Sequence, residues 1–410
     1  MINEFRNIAQ QVLSKVSHAS SDSERLLELR TAVSEISPNE RAFLRKIFAQ
    51  LLDAVVKNGA SDIEIGGVGT VDKVWLRING TKIPVDKLPT FSIDESTLLI
   101  FSILSQNQQT ELLEKRNLDF SYSYLNNESG NEQRFRADVY FELGTVALNL
   151  RAISNEIRSL DSLGFHKFAV DKMYHENTKY GLSLITGITG SGKSSTLDSV
   201  IDYHNRTVNT HIIIIASPVE FIHKSKKSIV RHREVGSDVL SFSRGVIEAM
   251  RQDPDIVVIG EMRDPDTILA SLEVADTGHK VFSTLHTSSA AESIDRILAE
   301  VDKRDIDRVR HRLADVLVSV VSQKLVPGIS GGRHLVKEVM LMTPGIKAAI
   351  KNNNIGEIYM MINQSRDLGM NTLEQDLLRL YAERKISKET AVTFSNNRQF
   401  MVQMINRSIN

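Results

Sequence analysis

The chain has 410 residues, 41% hydrophobic and 25% charged, with a formal net charge of -1 and no cysteine. That composition suits a globular protein of about two or three domains. It excludes disulfides, thiolate zinc sites and cysteine nucleophiles, and a near-zero charge gives no global field toward nucleic acid or an acidic membrane. No apolar run approaches the roughly 18–20 residues that span a bilayer. The opening MINEFRNIAQQ carries charges where a signal peptide would be apolar.

Phe5, Ile8, Val12 and Val16 recur at helical spacing, and Ala42, Leu44, Ile47, Leu51 and Val55 do so again. Residues 1–57 therefore read as a helical N-terminal extension, with a loop and N-cap at 18–23. From Ser61 the period becomes two. Ile63 and Ile65 alternate with acids, Val74, Leu76 and Ile78 alternate with polar neighbours, and Asn79-Gly80 signals a hairpin turn. With a helical stretch near 94–116 and further strands at 119–124, 134–140 and 146–151, residues 58–153 read as a small α+β domain. The polar run 154–164 reads as a linker. In 165–300, almost wholly apolar strands at 182–186, 212–216, 256–260 and 280–285 alternate with helices, the pattern of a parallel sheet buried on both faces. After Ser289 the pattern is mainly helical, giving a helical C-terminal region at 301–410.

Residues 187–194 read GITGSGKS, which fits G-x-x-x-x-G-K-[ST] between a strand and a helix. Gly187, Gly190 and Gly192 allow backbone N–H groups to turn toward phosphate oxygens, and the helix that follows adds its positive N-terminus. On this pattern Ile188, Thr189, Ser191 and Ser195 complete the cradle, Lys193 reaches the β- and γ-phosphates, and the Ser194 hydroxyl ligates Mg²⁺. Glu261 ends the strand 256–260, where an acid contacts Mg²⁺ or its water shell; alone it could equally be a helix-start acid. Glu220 follows the strand 212–215, as either a group that orients the attacking water or a solvated loop acid, and spacing favours neither. His286 closes the strand 280–285 at a place suited to sensing a terminal phosphate, against the common role of a structural histidine. The basic run 223–233, HKSKKSIVRHR, has no interleaved aromatics to stack on bases, so a subunit contact is favoured over nucleic acid or lipid.

Three segments in order carry a resemblance: GITGSGKS, REVGSDVLSFSRGVIEAMRQDPDIVVIGEMRDPDTI and ADTGHKVFSTLHTSSAAESIDRI. They closely resemble the secretion and type IV pilus ATPases, in particular the PilT-like twitching-motility group, from about Ser61 to the end. The resemblance implies a PAS-like N-terminal domain, a RecA-like core and a homo-hexameric ring that binds ATP and Mg²⁺. It further implies a place at the cytoplasmic face of the inner membrane, a platform protein as partner and a paralogous motor ATPase as a possible second one. Carried over by motif, Lys193 and Ser194 are Walker A positions, Glu261 the Walker B glutamate, His286 the His-box histidine and Glu220 the catalytic glutamate. Arg134 and Arg136 on the RFRADVY strand become phosphate contacts to a neighbouring subunit, with Arg151 a further candidate.

Four departures accompany the match. Ala216-Ser217 stand where the family has Glu-Asp before the proline, and Glu142-Leu143 where it has Gln-Arg. GIKAAIKNNN at 345–354 keeps only the apolar frame of the retraction motif, and residues 1–50 extend past the usual start. With no four-cysteine zinc insertion, the resemblance favours retraction over assembly or secretion. The remaining alternatives are an assembly or secretion ATPase, a weakly active accessory nucleotide-binding subunit, and a nucleic-acid translocase.

Overall fold

The structure, a computed structural model, describes residues 2–17, 22–70, 72–78, 80–126, 130, 132–153 and 156–409. Most of the loop expected at 18–23, Asn79 of the expected hairpin turn, and residues 154 and 155 of the expected linker lie outside them. The chain divides into two compact units, Met1–Asn155 and Glu156–Asn410.

The first unit is built on an antiparallel sheet of β1 (Asp62–Gly66), β2 (Trp75–Ile78), β3 (Thr81–Pro84), β4 (Asn117–Leu125), β5 (Glu132–Glu142) and β6 (Thr145–Ala152), in the order β3-β2-β1-β6-β5-β4. The helix Ile93–Ile103 crosses it, opened by a Ser92/Glu95 capping box. Every residue from Ser96 to Ile103 of that helix is buried. A helix apolar on all sides needs cover on all sides. The sheet covers one face, and the helices Ile2–Leu13, Asp22–Ser34 and Pro38–Lys57 cover the rest. Phe5, Leu29, Phe48 and Leu52 thus share one core with Leu98, Phe101, Leu76 and Leu148. The N-terminal helices are part of this unit's interior. Phe5 is fully buried and meets Phe91 edge-on at 5.5 Å. Phe5→Ala is therefore expected to cost about 3–5 kcal/mol, read by calorimetry of the full chain as an earlier unfolding transition. An unchanged transition would show the helix to be peripheral.

The second unit is a seven-stranded sheet ordered β13-β12-β7-β11-β10-β8-β9. Its strands are β7 (Gly181–Thr186), β8 (His211–Ala216), β9 (Ile229–Glu234), β10 (Ile256–Ile259), β11 (Lys280–Leu285), β12 (Leu317–Pro327) and β13 (Arg333–Leu341). All neighbours are parallel except β12 and β13. β7, β10 and β11 are buried at every position, because helices cover both faces.

One reading is corrected here, and one strand was missed. The region 301–410 is not helical throughout: β12 and β13 form a hairpin within it, and β12 pairs with β7. The core sheet therefore runs past residue 300. In β12 the polar residues Ser319, Ser322 and Gln323 are buried, which breaks the apolar run that marks the other core strands. The strand that the sequence reading missed is β9, an edge strand at the end of the basic run 223–233. Only Val230 of β9 is fully buried, so the strand carries little hydrophobic signal.

Candidate active site

Four adjacent strands, β7, β11, β10 and β8, end at one edge of the parallel sheet and hand on to the loops that carry the expected groups. β7 leads into the glycine loop, β11 into His286, β10 into Gly260-Glu261 and β8 into the segment with Glu220. Ligands bind beyond the carboxyl ends of strands in such sheets.

The loop's shape depends on its glycines. Gly187 has φ +150°, and a Cβ there would come within 2.4 Å of both the Gln323 carbonyl oxygen and Ser191 Oγ. Gly192, at φ +89°, precedes the helix Lys193–Thr207. Ile188, Thr189 and Gly190 are exposed, as are Ser194 and Ser195 in the helix's first turn, while Ser191 is buried. Lys193 folds over the loop, its Nζ donating to the carbonyls of Gly187 (2.8 Å) and Ile188 (3.1 Å). Burial pushes its ammonium below the ordinary lysine value, opposed by the charges of Glu261 and Glu220. Lys193, Glu220 and Glu261 thus form one electrostatic group.

Glu261 is mostly buried. Its Oε2 lies 2.7 Å from Arg263 Nε and 3.7 Å from His286 Nε2. Burial, helped by Lys193, holds the His286 imidazole below its ordinary value of 6.5, against the opposing charge of Glu261. Backbone bonds join the supports: Met262 N–H donates to Thr284 O, and Gly260 N–H to Ile215 O. The Thr284 hydroxyl donates to Gly260 O at 2.7 Å. Ala216 lies against Gly260, where a Cβ would sit 3.3 Å from the Ala216 Cα.

Sequence reasoning missed two residues here. Gln323, buried on β12, donates from Nε2 to Ser191 O (3.0 Å) and accepts from the Thr196 hydroxyl (3.1 Å), tying the loop to the helix behind it. A glutamine inside the run SVVSQKLV was the available signal. Arg263 was overlooked as the partner of Glu261.

Arg134, Arg136 and Arg151 belong to the first unit. Arg136 lies 3.7 Å from Asp119 on the neighbouring strand. Arg151 is engaged by the buried Asp62, 2.8 Å away, a carboxylate that Arg77 also approaches at 3.5 Å. Leu143, 81% exposed, occupies the tip of the β5–β6 hairpin, and Glu142 accepts from Gly69 N–H. In the basic run Lys226 pairs with Asp202 at 2.7 Å and Arg233 with Glu248 at 2.8 Å, while Lys224, Lys227 and Arg231 are exposed.

A triphosphate fits these residues. The cradle closes at Gly187 where a side chain would collide, and the buried Ser191 Oγ has no hydrogen-bond partner among the described residues. Mg²⁺ fits as well. It keeps several waters and needs one or two carboxylates beside substrate phosphates. Glu261 and the exposed Ser194 hydroxyl are oxygen groups of that kind.

The family described as "Type II/IV secretion system protein" matches residues 38–388. The chain is 37% identical over 343 residues to the type IV pilus retraction ATPase PilT of Pseudomonas aeruginosa, covering 83% of this chain and 96% of that protein. It is 34% identical to a twitching motility protein of Neisseria gonorrhoeae, covering 80% and 85%. It is also 31% identical to the type IV pilus ATPase PilU of Pseudomonas aeruginosa, covering 87% and 91%. Among solved structures, the pilus retraction motor PilT with bound ADP superposes with a TM-score of 0.77 at 35% identity, covering 87% of this chain and 99% of that one. With the mixed α/β core and the glycine loop in place, the chain belongs to the type II/IV secretion ATPase family, in its PilT-like group.

Proposed function

We propose that the chain is a Mg²⁺-dependent ATPase motor that powers type IV pilus retraction as a homo-hexamer. The observation that carries this is the meeting of Lys193, Glu220, Glu261 and His286 at one edge of the parallel sheet, beside the glycine loop. The names of the relatives, a retraction ATPase and a twitching motility protein, support the direction of the motor.

In this reading the N–H groups of Gly187, Ile188, Thr189, Gly190, Ser191 and Gly192, with those of the first helical turn through Ser195, hold the phosphates. Lys193 exchanges its bonds to the loop carbonyls for bonds to the phosphates. Ser194 and Glu261 would hold Mg²⁺, which would supply positive charge to offset that of the phosphates. Glu220 orients and deprotonates the attacking water. His286, beside Glu261, donates a hydrogen bond to the terminal phosphate and loses it when that phosphate leaves. Arg134 and Arg136 reach the nucleotide of a neighbouring subunit. The ring works from the cytoplasmic face of the inner membrane on a pilus platform protein, with a paralogous motor ATPase as a second partner. No helix of the described residues is long and apolar enough to cross a membrane, which fits a peripheral placement through partners.

A strain lacking the gene tests this: it should keep excess surface pili and lose twitching. A strain without surface pili would assign the chain to assembly instead. A second reading, an accessory subunit with little turnover, is favoured by Ala216-Ser217 in place of two acids and by the Arg263–Glu261 pair. It would bind nucleotide yet release almost no phosphate.

A further inference from the structure

The loop that carries Glu220 is fastened to the helix that carries Lys193. One face of the helix Lys193–Thr207 presents Asp198, Asp202 and Asn205, spaced four and three residues apart. All three engage the segment 223–228. His223 Nε2 lies 2.9 Å from Asp198 Oδ1, so its N–H donates to the carboxylate. Lys226 Nζ donates to Asp202 Oδ1 at 2.7 Å. The Asn205 amide donates to Lys224 O and accepts from Lys226 N–H, at 2.8 and 2.9 Å.

His223 is the member nearest Glu220 in the chain and the most enclosed, its side chain 1% exposed against 21% for Asp198. Its backbone N–H donates to His232 Nε2 on β9 at 3.0 Å, its ring stacks on His232 at 6.1 Å and 8°, and Phe221 packs on it at 4.9 Å. At the other end of the loop, Val219 N–H donates to Glu234 of β9 at 2.9 Å. Glu220 is thus spanned by anchors on both sides, and the anchor toward Lys193 is polar and specific.

We propose that His223 is a positioning residue for hydrolysis: by clasping Asp198 it fixes the Glu220 carboxylate relative to the phosphate loop, so that movement of the phosphate-bearing helix carries Glu220 with it. This rests on the hydrolytic role given to Glu220 above. Asp202 and Asn205 hold the loop's far end, and His223 is the member of the clasp nearest Glu220.

The test uses the full-length protein with His223→Leu, His223→Gln, which keeps an N–H for Asp198, and Asp198→Ala, which breaks the clasp from its more exposed end. His223→Leu and Asp198→Ala should lower kcat about 10–100-fold and leave the affinity for a fluorescent ADP analogue within about threefold. His223→Gln should recover most of the rate. Added to Glu220→Gln, His223→Leu should cost nothing further, because it acts through that carboxylate. Amide exchange in 219–228 should speed about tenfold or more, with residues 193–207 unchanged. An unaltered rate and exchange pattern, or equal loss of rate and ADP affinity with no rescue by glutamine, would overturn the clasp. A wild-type chain without turnover would sink the ATPase reading, and the exchange comparison would still decide whether His223 holds the loop.

Discussion

Glu220→Gln is expected to lower ATP turnover by about 10²–10⁴-fold while ATP stays bound. The amide keeps the shape of the carboxylate but cannot take a proton from water. Glu220 also acts on Lys193 as one of two counter-charges. Neutralising it leaves the lysine freer for a polyanion, so ATP affinity should hold or tighten. Phosphate release together with retention of labelled ATP on the protein measures both. A variant hydrolysing at the wild-type rate would remove Glu220 from the mechanism and leave it a loop acid.

Lys193→Ala should fail earlier, at binding. Its Nζ is the group that spans the loop, bonded to the carbonyls of Gly187 and Ile188. Losing charge-assisted hydrogen bonds to phosphate of about 1.5–3 kcal/mol predicts a rise in the ADP dissociation constant of about 10–100-fold. An equilibrium titration with a fluorescent ADP analogue checks it, with thermal unfolding to establish that the fold is intact. Affinity equal to wild type would place the phosphates elsewhere. The two variants therefore separate the holding of nucleotide from its cleavage.

The core strands that carry the candidate site could be read from the chain because each is short and apolar and ends in a polar group. β7, β10 and β11, buried at every position, announce a parallel sheet without ambiguity. What stayed hidden has a physical cause in each case. β12 buries Ser319, Ser322 and Gln323, and Gln323 holds the phosphate loop, so the polarity that serves the site also disguised the strand. β9 is an edge strand with a basic face, so the run 223–233 read as a subunit contact, while Asp202 and Glu248 of the same unit stand opposite Lys226, just before the strand, and Arg233, on it. The helices of residues 2–57 were legible as helices. Their amphipathic spacing names a buried face but not its partner, which proved to be the helix Ile93–Ile103, buried from Ser96 to its end. Asp198, Asp202 and Asn205 are visible as a polar stripe, yet nothing in the stripe points to His223.

The departures from the family bear most on rate. Ala216 now lies against Gly260, and Glu261 is shared between Arg263 and His286, while Glu220 keeps its place near Lys193. The proposed mechanism therefore asks a single carboxylate at the β8 loop, Glu220, to serve hydrolysis. The direct measurement is Mg²⁺-dependent phosphate release by the purified full-length chain, beside its Glu220→Gln variant. Release well above that variant, abolished by removing Mg²⁺, is the predicted result. A chain that binds ATP but releases no more phosphate than Glu220→Gln would contradict it.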